Sequence, residues 1–204
     1  MNHPDKKYLE HLIEQITQKC TDFKYPELDL SAAVITYIPT KKRYFTGLRS
    51  GMDGLAEMKK YNVKESPAIR PNCMFYHKFY KADGKILKID SFVSGHDRLA
   101  GGYIAYYEDN WRYLFPVDGD KIQTGSYILA THFENNRVVE ECFVLSHQIV
   151  YEKYTYPDSG KVDYYYINYV PAGKYPVLAE HCGYYFPDTL EYVDVQHYAW
   201  YTAL

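Results

Sequence analysis

Eight histidines, four cysteines and a glutamate set in an apolar strand, Glu140, are where chemistry could reside in this 204-residue chain. Two imidazoles share a metal ion when they are spaced as HxH, HxxxH or HExxH, and no histidine pair here has that spacing. On a strand, His96-Asp97 and His181-Cys182 would point neighbouring side chains to opposite faces. Cys20, Cys73, Cys142 and Cys182 are widely scattered with no CxxC pair, which reads as reduced thiols rather than zinc or redox chemistry. Cys73 and Cys142 fall inside expected strands, where a thiol behaves as a small hydrophobe. Ser94-Gly95-His96-Asp97 has triad residue types, but triads are assembled from separated segments, so it reads as a turn. Gly101-Gly102 and Gly119 lack the strand-to-helix context of a phosphate-binding loop. No metal and no cofactor is expected.

More pointed candidates emerge once strand faces are assigned. Around Ala82-Asp83-Gly84, a two-residue turn would set Phe79 against Lys88 and His77 against Asp90. A three-residue loop sets Phe79 against Leu87 and Phe75 against Ser91, and it keeps Lys78, Lys88 and Asp90 on the other side. The second register separates polarity better and turns His77 inward, opposite Ile89. Around Asn135-Asn136, Glu134 faces Arg137 and the apolar face is Tyr127, Leu129, Phe133, Val138, Cys142 and Val144. That face also carries Thr131 and Glu140. An inward carboxylate is costly unless bonded. Glu140 is therefore satisfied by a tyrosine hydroxyl or Thr131, or left in water by a different register, or held as a polar anchor or a general base with raised pKa.

The elements that must position these residues are hairpins. Turn signals at Ala82-Asp83-Gly84, Asp109-Asn110, Asn135-Asn136 and Asp158-Ser159-Gly160 separate runs rich in Val, Ile, Phe and Tyr, so residues 73–170 read as a meander. In the second hairpin Tyr106 opposes Tyr113 and Ile104 opposes Phe115, with Trp111 on the same face and Arg112 on the reverse. The fourth carries aromatics on both faces: Tyr154, Tyr156, Tyr164 and Tyr166 on one, Tyr151, Tyr165, Ile167 and Tyr169 on the other. Something must cover both. Residues 4–19 read as an amphipathic helix, with Leu9, Leu12, Ile13 and Ile16 forming one stripe. Residues 32–38 read as a strand, 50–61 as a short helix with Leu55 and Met58 inward, 171–189 as loop and short strand, and 190–201 as a closing strand.

Composition sets the outer limits. Hydrophobic residues make up 47% and charged residues 24%, no apolar run could span a membrane, and the polar start lacks a signal-peptide core, so a cytoplasmic protein is expected. A net charge of −3 argues against nucleic acid, and the dense cluster Lys41-Lys42-Arg43 reads as a solvated loop. Tyrosine is the outlier, with 25 copies against 9 phenylalanines.

The expected fold is α+β and one domain: an antiparallel β-meander of about eight strands, strongly curved or closed into a barrel, with the N-terminal helix packed on or into it. The leading functional expectation is a non-enzymatic module that binds a protein partner through Tyr154, Tyr156, Tyr164 and Tyr166. One alternative is a small-ligand pocket lined by Tyr106, Trp111, Tyr113 and Phe133, with His77 and Glu140 as polar contacts. The other is an enzyme using His77 and Glu140 for acid–base work.

Overall fold

The structure, a computed structural model, describes residues 4–40, 48–69, 73, 75–93, 98–173 and 176–199. Lys41-Lys42-Arg43 and Ser94-Gly95-His96-Asp97 lie outside them. Asp5 caps the first helix, α1 (Lys6–Asp22), by accepting the Tyr8 N–H at 2.7 Å. The strands are β1 (Val34–Thr40), β2 (Phe75–Ala82), β3 (Lys85–Val93), β4 (Arg98–Glu108), β5 (Trp111–Asp118), β6 (Lys121–Ile122), β7 (Ile128–Glu134), β8 (Arg137–Leu145), β9 (Gln148–Thr155), β10 (Val162–Tyr169), β11 (Val177–Tyr185) and β12 (Tyr192–Ala199). A second helix, α2 (Met52–Lys60), follows β1. All strands pair antiparallel in chain order, except that β6 pairs only with β5 and β7 continues from β5.

Among the described residues the sheet therefore has twelve strands rather than about eight, and it is open rather than closed. Its edges are β1 and β12. The main addition is β11, which Pro176 and Gly183 make look like broken loop. A Cβ at Gly183 would lie 2.0 Å from the Val193 carbonyl oxygen, so glycine is what lets β12 approach there.

Each face of the sheet has its own helix. Leu9, Leu12, Ile13, Ile16 and Cys20 of α1 pack on Ile104, Phe115, Cys142, Val144, Tyr151 and Tyr165. The opposite face holds Ile38, Phe79, Ile89, Leu114, Leu129 and Phe143, and beyond them Val138, Tyr154, Tyr164 and Tyr185. Onto it α2 brings Met52, Ala56 and Met58. Leu55, expected inward, is 43% exposed; its place is taken by buried Gly54.

Two of the four hairpins depart from the expected register, each by a bulge. At Asp83-Gly84 both residues have positive φ (49° and 75°), the geometry of a two-residue primed turn. Leu87 then bulges, so Phe79 pairs with Ile89 and His77 with Ser91. The chain thus separates polarity with a tight turn plus a bulge, where the expected register used a longer loop. At Asn135-Asn136 the pairs Glu134–Arg137 and Phe133–Val138 form, but Val139 bulges and Glu140 pairs with His132. The second hairpin is free of bulges, and Tyr106–Tyr113 and Ile104–Phe115 pair across it.

Candidate functional site

The Val139 bulge decides where the acidic residues of β8 point. It splits the expected face: Leu129, Thr131, Phe133 and Glu141 lie toward α2, whereas His132, Glu140, Cys142 and Val144 lie toward α1. Glu140 is not beside Thr131. Instead the hydroxyls of Tyr8 (3.0 Å) and Tyr151 (2.7 Å) donate to its carboxylate, and His132 Nδ1 lies 3.5 Å away. Burial, reinforced by the Glu140 charge, pushes both phenols far above their ordinary pKa, which keeps them as donors. The His132 ring stacks on Trp111 at 4.8 Å between centroids.

Beside this group, at the Asn135-Asn136 end of β7, β8 and β9, is an open cleft of about 430 Å³. His132, Glu134, Arg137, Glu140, Lys153 and Tyr156 line it. Lys153 sits directly across the strand pair from Glu140, yet no carboxylate of the described residues comes within ion-pair distance of it. Arg137 lies over the Tyr156 ring, 5.1 Å from its centroid, rather than on Glu134. The Tyr156 hydroxyl is fixed by donating to the Val138 carbonyl at 2.8 Å. The cleft therefore offers two cations, one of them stacked on an aromatic ring, and an imidazole.

The α2 face carries a second polar group that the sequence reading did not single out. Glu141 and Glu152 oppose each other across β8 and β9, both 0% exposed. Arg49, just before α2, bonds Glu152 and Asp53 and reaches Glu141 at 3.7 Å. Glu141 also accepts the Ser50 N–H at 2.7 Å and the Thr131 hydroxyl at 3.3 Å, while Arg112 donates to Ser50 and Thr131. Tyr154 donates to Glu152 and Tyr185 to Asp53. Burial alone would lower the Arg49 pKa, but Glu152, Asp53 and Glu141 more than offset it and hold it well above its ordinary value. A Cβ at Gly51 would meet the Tyr154 ring at 2.4–2.5 Å, so only glycine lets the start of α2 sit this close. With both glutamates sealed from solvent, the cluster fastens α2 to the sheet and presents no reacting surface. The signal for it was legible: consecutive Glu140-Glu141 on one strand must put a carboxylate on each face.

The expected site residues are thereby separated. Tyr106, Trp111, Tyr113 and Glu140 share the α1 face, but the three rings are packed: Phe23, the C-cap of α1, lies on Tyr106 and Phe115, and Lys19 over Tyr113. Phe133 lies on the other face under the Arg112 guanidinium. His77 is also there, 2% exposed, with Nδ1 2.8 Å from Ser91 Oγ and its pKa lowered by burial to about 4. His77 and Glu140 thus stand on opposite faces of the sheet and do not form one acid–base pair. Tyr154 and Tyr164 are 1% and 2% exposed, packed against α2 and β11, with Tyr154 at the wall of the cleft; Tyr156 and Tyr166 are half-buried. Among the described residues no group of three or more His, Cys, Asp or Glu side chains could hold a metal ion, and no helix is long and apolar enough to cross a membrane. All four cysteines are free thiols.

Compared with protein-family models, curated proteins and solved structures, the chain has no match.

Proposed function

We propose that this protein is a non-enzymatic binding module for a protein partner, and that its recognition surface is the cleft beside the Asn135-Asn136 turn. The observation that carries this reading is that Arg137 and Lys153 face the cleft with no acidic partner among the described residues, while two of the four expected docking tyrosines, Tyr154 and Tyr164, are buried. Charged groups at the rim of a binding surface set specificity and association rate, and an aromatic beside them supplies contact area. Tyr156 is retained from the expected partner set and Glu140 from the expected ligand set; the cleft is where the two meet.

Affinity capture from source cells tests it. With Arg137→Glu and Lys153→Glu combined, a protein recovered on the wild type is expected to be lost, while a Val195→Glu variant at the β12 edge keeps it. Equal recovery on the wild type and the cleft variant contradicts the proposal.

A further inference from the structure

We infer that the cleft takes an acidic segment of its partner, with two carboxylate side chains seated on Lys153 and Arg137. The inference rests on the reading of the cleft as the recognition surface and adds the chemistry of what enters it. Its basis is how the carboxylates already present are used. Glu140 is the acid that β-pairing sets opposite Lys153, and opposite charges on such a pair ordinarily attract. Here its oxygens are taken by the Tyr8 and Tyr151 hydroxyls, with His132 Nδ1 at 3.5 Å. Lys153 is left facing the cleft.

Arg137 is displaced in the same way. The tight Asn135-Asn136 turn pairs it with Glu134, yet its guanidinium lies on Tyr156, a ring whose own hydroxyl is tied to Val138. A guanidinium stacked on an aromatic keeps its N–H edge free for a planar carboxylate. Two cations so held match two carboxylates. They match a continuous phosphate backbone poorly, because two separate cations interrupted by Glu134 and Glu140 give two seats and no continuous positive track.

Binding of a fluorescently labelled tetraglutamate peptide, a tetralysine peptide and a single-stranded oligodeoxynucleotide to the whole chain tests the inference. Tetraglutamate is expected to bind, at least tenfold more weakly to the Arg137→Gln, Lys153→Gln double variant, whose unfolding transition should stay close to the wild type because neither side chain has an ion partner among the described residues and only the Arg137–Tyr156 stacking is lost. Preference for tetralysine or for the oligonucleotide overturns the inference. So does tetraglutamate binding that the double variant retains, which places the anion elsewhere. Absence of tetraglutamate binding overturns it too. If the double charge reversal still abolishes capture of the cellular partner in that case, the cleft remains the recognition surface and only the acidic occupant is lost.

Discussion

Tyr8 and Tyr151 donate to Glu140, Tyr154 to Glu152, Tyr165 to Glu180, Tyr169 to Glu10 and Tyr185 to Asp53. A phenylalanine at any of these positions would pack as well but leave a carboxylate short of a donor, which is a physical reason for 25 tyrosines against 9 phenylalanines. Glu152 couples folding to pH. Burial pushes its pKa up from 4.5 to about 7, against the pull of Arg49. The folded chain then holds a proton that the unfolded chain has released between those values, so stability from this group is full below pH 4.5 and lost as pH rises toward 7. His77 acts with the opposite sign: burial lowers its pKa from 6.5 to about 4, and its contribution, full above 6.5, is lost as pH falls through 4. Comparing wild type with Glu152→Gln in urea isolates the first effect. The wild type should lose stability relative to the variant between pH 5 and 7.5, by at most about 1.4 kcal/mol per pH unit. A difference that is flat across that range would refute the assignment.

At the scale of elements, α2 is held by charge as much as by apolar contact. Arg49 is the cation beside Glu152, Glu141 and Asp53, so Arg49→Ala leaves the two buried glutamates without it. Denaturant unfolding should register a loss of roughly 3–5 kcal/mol, the usual cost of breaking one side of a buried pair; a loss below about 1 kcal/mol would mean the cluster does not anchor the helix. What the sequence revealed about the elements follows from where the bulges fall. The Asp109-Asn110 hairpin has none, and polarity alternation assigns Tyr106, Tyr113, Phe115 and Arg112 to their observed faces. Leu87 and Val139 each insert one residue, with different consequences: across Leu87 the partners shift, Phe79 from Leu87 to Ile89, while His77, Phe79 and Ile89 keep one face and Lys78, Lys88 and Asp90 the other, whereas across Val139 Glu140 leaves Thr131 for the opposite face. Bulges carry no residue signature of their own here, so they were invisible to periodicity. The N-terminal helix was legible because its stripe is four residues deep and Asp5 caps it. The partners of Glu141 were not, because Arg49 and Ser50 lie some ninety residues upstream and only the fold joins them.

At the scale of the molecule, twelve strands stay open, and each aromatic face is covered by the chain itself, one by α1 and the other by α2. That answers the question raised by the two-sided aromatics of β9 and β10: their cover comes from within. At the β1 edge, Tyr37 and Ser66 exchange backbone hydrogen bonds of 2.7 and 2.9 Å, closing part of that edge, while β12 leaves Val195 67% exposed at a bulge. The proposed recognition surface is the cleft at the turn end of β7–β9, which Arg137, Lys153 and Tyr156 line. The most direct measurement places a photo-crosslinking residue at exposed Thr155, on the cleft wall, and another at Val195, then irradiates whole source cells. The account predicts a discrete protein adduct from position 155 that disappears when Lys153→Glu is added, and none of the same mass from position 195. An adduct from 155 that is indifferent to Lys153, or no adduct at 155 at all, would contradict it.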